Sequence, residues 1–411
     1  MAKVITTELQ HSGASGANIT LDSSKNVTCE NNLTVDGTTT LTGAVTLPAG
    51  TTSDTLSFRN LIVNGGMNVA QRGTTSTSTT YRTVDRMRPT WAGTDEALTQ
   101  AQHALTSSDT GPWAKGFRNS LHLTNGNQTS GAGAADSAYM QYRMEAQDIA
   151  NSGWDYTSAS SYLTLSFWVK SSVAQTFYVD LQTHDGTAKQ YSFAYTCAAN
   201  TWLKVEHSIP GHADLSFDNN NAIGLTFTFS CFLGTDYTNS SASNSSWRAY
   251  AAGTMTLDQT STWWTTNDAT WEITGLQLEV GSTATDFEHR SYGEELARCQ
   301  RYYYKKGKIG DQSDDAPVAV FFYNSGTTWK GDVEYPVTMR TPPSLDVANL
   351  TDAFRAYGNS QGHNSDTLGL SDVTIQTARV SFVNSSHSTS NLATGVRCNA
   401  TGAYISFNAE L

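Results

Sequence analysis

The chain of 411 residues is long enough for two or three domains, each with a core of its own. Its formal net charge of −12 lacks the basic excess that a phosphate backbone requires, so the sequence argues against nucleic acid as a partner. Charged residues make up only 15% and aromatic residues 10%, a balance typical of β-rich folded domains and not of disordered chains.

Targeting and cross-linking signals are missing from the sequence. Residues 1–8 contain no apolar run of signal-peptide length, and no stretch of about 18 consecutive apolar residues occurs. We therefore expect a product made without a signal peptide and without membrane insertion. The five cysteines are odd in number and form no Cys-x-x-Cys pair, so neither a disulfide framework nor a cysteine zinc site is indicated.

Residues 1–57 carry very short strand patterns separated by Asp-Gly and Gly turns in a loose repeat. A single ribbon this thin leaves its apolar side chains uncovered, and a lone hairpin is marginal in water. Three intertwined chains would bury them, so we interpret this region as an anchor followed by a trimerising β stalk; the alternative is an unstructured Thr-rich leader. The predicted trimer core consists of Val27, Leu33, Val35, Leu41, Val45 and Leu47.

Residues 58–290 contain many short strand patterns joined by loops rich in Gly, Ser and Asn. In the segment 163–169 the odd positions are apolar and are expected to face inward, and 225–229 has the same parity, so one face of these strands is predicted to be buried and the other solvated. Because helical periodicity is almost missing, an antiparallel jelly-roll sandwich fits better than a parallel α/β fold. The predicted strands are 120–123, 138–143, 162–169, 176–182, 190–195, 202–207, 223–229 and 271–280, the last with a bulge at Gly275.

Residues 291–411 are predicted to form a small C-terminal β domain. A short helix near 294–300 precedes strands at 318–323, 332–337, 373–383 and 403–407. The segment 338–343 reads as a turn because its two prolines do not fit a central strand. The last strand is expected to dock back onto the domain. The whole chain is thus predicted to be all-β, with an N-terminal stalk, a central sandwich and this third domain.

No catalytic template is present: the sequence lacks Gly-x-Ser-x-Gly, His-Glu-x-x-His and the phosphate-binding loop. The loop 131–136 begins like a dinucleotide-binding turn but lacks the third glycine. Two carboxylates roughly 5 to 9 Å apart would suffice for glycoside hydrolysis. Asp180, Asp185 and Glu206 are available for that chemistry, but sequence does not give their separation. We therefore assign no catalytic residue and expect a protein that is not an enzyme.

Several segments resemble bacteriophage fibre and tail structural proteins, whose central domain looks like a carbohydrate-binding-module jelly roll. The matching segments are 60–67 (NLIVNGGM), 70–73 (AQRG), 83–86 (TVDR), 271–281 (WEITGLQLEVG), 287–290 (FEHR) and 294–303 (EELARCQRYY). The resemblance implies a virion protein that attaches to or decorates the particle, with the C-terminal domain as a candidate distal knob. It brings no residue-level binding motif with it.

The function predicted from these points is a homotrimeric fibre of a tailed phage that adsorbs to host surface glycan. It would contact other virion proteins through its N-terminal region and be made in the host cytoplasm. One alternative is a capsid-decorating head fibre or a tail adaptor without a receptor role. A second alternative is a glycan-degrading tail spike.

Two kinds of ligand site follow from this interpretation. Sugar rings stack on aromatic side chains, and Trp247, Trp263 and Trp264 lie in the polar insertion 239–267, where a binding rim is expected. The alternative is that these indoles pack the insertion onto the sheet or into a trimer interface. Carbohydrate-module jelly rolls often hold a structural Ca²⁺, which needs six to eight oxygen ligands. The candidate ligands are Glu279, Asp311, Asp314 and Asp315, with a turn or solvated patch as the alternative; no other cofactor is predicted.

Overall fold

The computed structural model describes residues 8–9, 19–21, 27–29, 59–307, 317–325, 327–348, 354–358, 361–364, 367–383, 393–398 and 404–411. The chain divides into two compact units, Met1–Ala49 and Gly50–Leu411. Within the described ranges, no helix has both the length and the apolar character needed to span a membrane.

The first unit holds a small three-stranded antiparallel sheet. Its strands, in spatial and chain order, are β1 (Glu8–Leu9), β2 (Ile19–Leu21) and β3 (Val27–Cys29). Of the predicted trimer core, Val27 lies in β3, whereas Leu33, Val35, Leu41, Val45 and Leu47 lie outside the described residues. The trimeric stalk therefore stays a prediction.

The second unit begins with a sandwich of two six-stranded antiparallel sheets, which we call sheet I and sheet II. Sheet I contains, in spatial order, β14 (Arg248–Ala249), β11 (Lys189–Cys197), β10 (Gln175–Thr183), β13 (Ile223–Leu233), β8 (Ser137–Glu145) and β5 (Arg88–Ala92). Sheet II contains β12 (Leu203–Pro210), β9 (Tyr162–Ser171), β15 (Thr270–Val280), β7 (Asn119–Thr124), β6 (Thr99–Ala104) and β4 (Thr75–Ser76). The predicted all-β, jelly-roll-like sandwich is confirmed.

Inward-facing side chains of the two sheets form the core of the sandwich. Leu165 and Phe167 of β9 are fully buried, and the Phe167 ring meets Phe229 of β13 edge-to-face at 5.3 Å between ring centroids. Each such side chain contributes about 1.5–3 kcal/mol by its removal from water. The alternation read from the sequence therefore places the correct residues in the core.

The outer faces of the sandwich are less exposed to solvent than the alternation of apolar and polar residues predicts. Thr226 and Thr228 of β13 are 3% and 2% exposed, although they point away from the core. The insertion between β13 and β15 lies over this face, where Gln259 donates a hydrogen bond of 2.9 Å to Ser230 Oγ. On sheet II, Thr164 Oγ1 donates to the carbonyl of Gly281, 2.7 Å away. The prediction of one buried and one solvated face is therefore wrong for the central strands.

The predicted bulge in β15 is present. The pairing with β9 shifts between Thr274 and Gln277, and Gly275 has φ of +65°. A Cβ at this glycine would lie 2.7 Å from the Phe117 ring, so both the backbone conformation and the ring require glycine here. The bulge brings the Phe117 ring directly onto the outer face of sheet II.

Three α-helices are described: α1 (Ala146–Ala150), α2 (Thr262–Thr265) and α3 (Tyr292–Gln300). The predicted helix corresponds to α3, which starts two residues earlier than expected. The Ser291 hydroxyl caps it by accepting a hydrogen bond from the Glu294 amide. Glu294 and Glu295 lie in its first turn and Arg298 in its last, which suits the helix dipole.

The rest of the second unit forms two further antiparallel sheets. The three-stranded sheet has the order β16 (Tyr303–Gly307), β25 (Tyr404–Asn408) and β19 (Ser344–Ala348). The seven-stranded sheet has the order β21 (Gln361–Asn364), β20 (Phe354–Gly358), β24 (Ala393–Cys398), β17 (Pro317–Ser325), β18 (Thr328–Glu334), β23 (Thr377–Val383) and β22 (Thr367–Ser371). Residues such as Phe321, Phe382 and Phe407 form a second core, separate from that of the sandwich.

The C-terminal strand predictions are partly confirmed. β25 pairs with strands on both sides, so the last strand does dock back. The predicted strand 332–337 ends instead at Glu334, because Pro336 lacks the backbone donor that a ladder needs. Of the predicted strand 373–383, residues 377–383 form β23, whereas residues 373–376 belong to the turn after β22, in which Thr374 Oγ1 accepts from the Thr377 amide at 2.9 Å.

Candidate functional site

The outer face of sheet II carries a groove of about 280 Å³. Its floor is formed by outward-facing residues of β9 and β12, namely Ser166, Trp168 and Lys204. Because the odd-numbered residues of β9 face the core, Trp168 points to the outer side of the sheet, where it is half-buried. The indole also rests on the backbone of Gly111, where a Cβ would lie 2.7 Å from the ring.

Three aromatic rings form the wall of this groove. The Phe117 and Phe287 centroids are 4.8 Å apart in an edge-to-face contact, and His289 lies 5.1 and 4.9 Å from them. His289 Nε2 is 2.8 Å from the carbonyl of Lys115, which ties the segment after β15 to the loop before β7. Aromatic clusters of this geometry hold a wall in place. The groove is thus built by two loops that flank the Gly275 bulge.

Charged groups of both signs lie at the groove. Lys204 Nζ is 2.9 Å from a Glu206 oxygen, and Lys115 Nζ is 3.5 Å from Asp286 on the opposite side. Each cation thus has its counter-ion within 4 Å. Half-buried aromatic rings beside hydroxyl, ammonium and carboxylate groups suit a neutral ligand with both apolar faces and hydroxyls.

A second polar cluster lies on the same outer face, and we call His103, His122 and Glu272 the histidine cluster. Glu272 of β15 is directly opposite His122 of β7, while His103 of β6 is diagonal to His122. Glu272 Oε2 is 3.1 Å from His103 Nδ1, and Glu272 Oε1 is 3.3 Å from His122 Nδ1. Each of the three side chains offers one potential ligand atom, and these three atoms lie within 4.8 Å of one another.

Further donors surround Glu272, which is 2% exposed. Lys170 Nζ lies 3.0 Å from Oε1, and the Ser120 hydroxyl donates to Oε2 at 2.9 Å. Burial acts to raise the pKa of Glu272, but His122 and Lys170 outweigh burial and hold that pKa well below its usual range. Glu272 is therefore a carboxylate at neutral pH.

Lys170 also connects the histidine cluster to the aromatic edge of sheet II. Its Nζ lies 3.1 Å from Asp109 Oδ1 and 4.8 Å from the centroid of the Trp202 ring. The indole of Trp202 donates to the same Asp109 oxygen at 3.1 Å. These contacts fix the direction of the Lys170 side chain, which is two residues from Trp168 along β9.

Two of the three tryptophans predicted to line a binding rim are instead in the core. Trp263 and Trp264 of α2 are both 0% exposed. The Trp264 indole donates to the carbonyl of Gly131 at 2.8 Å, and its ring contacts Phe232 at 5.2 Å. Neither ring presents a face to solvent, so the rim interpretation is wrong for both and the packing alternative is correct.

Trp247, the third predicted rim residue, packs against the edge of the sandwich core. It is partly buried against the core, with its ring 5.3 Å from that of Tyr191. Its indole donates to the Pro210 carbonyl at 2.6 Å, so the polar atom is already occupied. A glycan contact by Trp247 stays a prediction.

The structure gives Glu279 a structural role. Its Oε1 accepts from Gln277 Nε2 at 2.8 Å and from the Thr285 amide at 2.9 Å, and its Oε2 accepts from the Thr285 hydroxyl at 2.6 Å. These donors hold the turn after β15 and do not fit the all-oxygen shell that Ca²⁺ requires. Asp311, Asp314 and Asp315 lie outside the described residues, so calcium binding there stays a prediction.

Asp180 and Glu206, two of the three carboxylates considered for hydrolysis, lie on opposite faces of the sandwich. Asp180 points outward from sheet I and is 1% exposed, and burial raises its pKa well above the ordinary value. Glu206 is on the outer face of sheet II, paired with Lys204. Because the core between two packed sheets is about 10 Å thick, outward-facing carboxylates on opposite sheets are too far apart for a glycosidase pair. Asp185 accepts the Asp218 amide at 3.1 Å.

The segments that resemble phage fibre proteins converge on one buried polar region, which we call the junction network. The Asn64 side chain donates through Nδ2 to the carbonyls of Val69 and Asp85, both at 2.9 Å. The backbone amide of Asn64 donates to Glu295 Oε1 at 2.5 Å. The Arg290 guanidinium reaches the carbonyls of the segment 60–62. The matching segments therefore connect the sandwich to α3.

The same network continues toward residue 410. Arg86 is 1% exposed, forms an ion pair with Glu410, and lies 3.5 Å over the Tyr302 ring. Glu145 is fully buried and accepts from Arg301 at 2.8 and 2.7 Å and from the Tyr302 hydroxyl at 2.7 Å. The segments that carry the resemblance thus define how the sandwich joins the elements after α3.

The groove and the histidine cluster were not predicted from the sequence. Their signal was nevertheless present: Trp168 has the outward parity of a strand whose odd positions face the core. Parity therefore marks the Trp168 ring as outward-facing, but a single outward aromatic residue does not by itself identify a groove. His103, His122 and Glu272 are distant in sequence and come together only through strand register.

No family model matches this sequence, and a search of curated proteins finds no match. Among solved structures, tailspike protein 4 of bacteriophage CBA120 is 12% identical with a TM-score of 0.28, over 54% of this chain and 21% of the tailspike chain. The N-terminal cellulose-binding domain of Cellulomonas fimi β-1,4-glucanase C is 11% identical with a TM-score of 0.24, over 53% and 99% of the two chains. The family 11 carbohydrate-binding module of Clostridium thermocellum Lic26A-Cel5E is 11% identical with a TM-score of 0.24, over 53% and 98%. Similarities this weak assign no ligand or activity to this chain.

Proposed function

We propose that this protein is a homotrimeric fibre of a tailed bacteriophage virion that adsorbs to host surface glycan through the groove on sheet II. The virion assignment depends on the resemblance of the segments that form the junction network. The glycan assignment depends on the groove itself. The observation that carries it is the half-buried Trp168 ring on the floor, beside Lys204 and opposite the wall of Phe287 and His289.

The groove suits a sugar for physical reasons. A pyranose presents C–H faces that stack on an aromatic ring and hydroxyls that exchange hydrogen bonds with charged groups. Trp168 supplies the ring, while Lys204 and Asp286 supply a donor and an acceptor on the two sides. Because each lysine at the groove has a carboxylate nearby, we expect a neutral or weakly charged glycan.

The Trp168→Ala variant is expected to bind glycan at least about tenfold more weakly than the wild-type chain. An aromatic contact contributes about 0.5–1.5 kcal/mol beyond its buried area, and about 1.4 kcal/mol corresponds to a factor of ten in affinity. Binding is measured on an array of bacterial lipopolysaccharides and capsular polysaccharides, followed by titration of the best-bound polysaccharide.

Tyr250→Ala serves as the matched control, since Tyr250 is an exposed aromatic residue (38%) in the insertion that covers sheet I. It is expected to bind as the wild type does. Phe287→Ala tests the wall independently in case Trp168→Ala lowers the melting temperature. Unchanged glycan affinity in both groove variants would contradict the assignment of the groove.

The fibre proposal predicts a native mass three times the 44.4 kDa of one chain. Deleting residues 1–57 is expected to lower that mass to one chain, because the proposed stalk would then be lost. Light scattering on the full chain and on the deletion variant gives both values. A monomeric full chain, or a deletion variant that stays trimeric, would remove the stalk from the proposal.

Measurements on the same protein samples distinguish two alternative functions from the proposed one. A trimer that binds no array glycan and no host cell would favour a head fibre or tail adaptor. Release of reducing ends from a bound polysaccharide would favour a glycan-degrading spike, with catalytic groups other than Asp180 and Glu206.

A further inference from the structure

We propose that the histidine cluster is a binding site for a divalent transition metal of the Zn²⁺ type. Two imidazoles and one carboxylate are the ligand set that such ions take in proteins, with a water molecule in the remaining position. The three side chains come from three adjacent strands, β6, β7 and β15, so the sheet fixes their positions. The ligand atoms lie within 4.8 Å of one another. Tetrahedral bonds of about 2.0–2.2 Å place ligand atoms roughly 3.4 Å apart, so the side chains must move closer together around the ion.

The state of His122 supports this proposal. Its Nδ1 is buried and has no hydrogen bond of acceptable geometry, although Glu272 Oε1 is 3.3 Å away. Its other nitrogen, Nε2, is 3.1 Å from Thr124 Oγ1. Nδ1 of His122 thus faces the Glu272 carboxylate while Nε2 contacts a hydroxyl, which leaves Nδ1 as the ring atom that would bind the metal. Outer contacts of this kind are typical of histidine ligands.

The contacts of the Glu272 carboxylate also suit a bound cation. Ser120 Oγ donates to Glu272 Oε2 and fixes its orientation, while Lys170 occupies the opposite side at Oε1. The side of Oε2 that faces His103 Nδ1, at 3.1 Å, is where a metal would bind. Lys170 balances part of the carboxylate charge, which favours an ion held by nitrogen ligands over Ca²⁺ or Mg²⁺.

His103 gives a metal ion access to the site from solvent, and its side chain is free to change conformation. Its side chain is 48% exposed, against 19% for His122 and 3% for Glu272. The ion can therefore enter from solvent, and the His103 ring can turn toward it without disturbing the core. The site lies two residues along β9 from the Trp168 row, about 7 Å at 3.4 Å per residue, on the same face as the groove.

The test is isothermal titration calorimetry, in which Zn²⁺ is titrated into the full chain after a chelator has removed any bound metal. We expect one Zn²⁺ per chain, and we expect Co²⁺ at the same site to give the visible absorption of a four-coordinate complex. Loss of an outer-shell partner alone costs about 10–100-fold in affinity at known sites. His103→Ala and His122→Ala, which each remove a ligand, are therefore expected to lose at least about 100-fold.

The matched control is His212→Ala. His212 Nδ1 lies 3.8 Å from Asp214 Oδ2, and both side chains are exposed, so this pair resembles the cluster but lacks a third ligand. Its removal is expected to leave Zn²⁺ affinity unchanged. His103→Ala also keeps the test valid if His122→Ala folds poorly, because His103 is on the surface. Absence of saturable binding, or wild-type affinity in His103→Ala, would overturn the proposal.

Discussion

The Trp263→Ala variant is expected to lose about 3–5 kcal/mol of its free energy of unfolding. The indole is 0% exposed and its ring nitrogen donates to the Thr270 carbonyl at 3.1 Å, so truncation opens a cavity and leaves that acceptor unpaired. The backbone amide of Trp263 also donates to Gln175 Oε1 at 2.9 Å, which ties α2 to β10. Urea unfolding followed by circular dichroism measures the loss.

Trp113→Ala provides the comparison. Trp113 is only half-buried and its ring contacts the Arg118 guanidinium at 3.7 Å, so its removal is expected to cost about 0.5–1 kcal/mol. A Trp263→Ala variant that unfolds like the wild type but binds glycan more weakly would contradict the packing assignment. That result would restore the rim interpretation of the insertion.

Strand positions were predictable because local patterns determine them. The seven predicted strands from 120–123 to 223–229 correspond to β7 through β13, and the segment 271–280 corresponds to β15. Alternation identified Leu165, Phe167 and Phe229 as core residues, since parity depends only on the strand itself. The bulge was predictable for a related reason, because glycine at 275 interrupts the parity at one position.

The covering of the outer faces was not predictable in the same way. Trp263 lies in a polar insertion, and composition alone suggested a solvated loop. Its burial depends on long-range contacts, such as those of Asn125 Nδ2 with the Trp263 and Trp264 carbonyls at 3.2 and 2.7 Å. Such contacts depend on the tertiary arrangement of loops, which local pattern does not encode.

The two candidate sites escaped prediction for different reasons. The groove at Trp168 required knowledge of which loops flank the Gly275 bulge. The histidine cluster required strand register: Glu272 faces His122 only because β15 pairs with β7 in that alignment. A shift of one residue would move each of these side chains to the opposite face.

The Arg86→Met variant is expected to lose about 3–5 kcal/mol of its free energy of unfolding. Methionine keeps much of the volume beneath the Tyr302 ring but removes the charge that pairs with Glu410, whose side chain is 5% exposed. The guanidinium also donates to the Arg143 carbonyl at 2.6 Å, so that acceptor loses a donor as well. Chemical unfolding of Arg86→Met, Glu410→Gln and the double variant gives the pairwise coupling.

The double variant separates charge pairing from packing. If the cost arises from an unpaired buried carboxylate, neutralising Glu410 in the Arg86→Met background should recover most of it. Arg72, 3.3 Å from the other Glu410 oxygen, limits the loss in the single variant but does not replace Arg86. Arg379→Met in the exposed pair with Asp332 is the control, and it is expected to leave stability nearly unchanged because water screens that pair. Equal effects of Arg86→Met and Arg379→Met would show that the junction network does not hold the sandwich to the elements after α3.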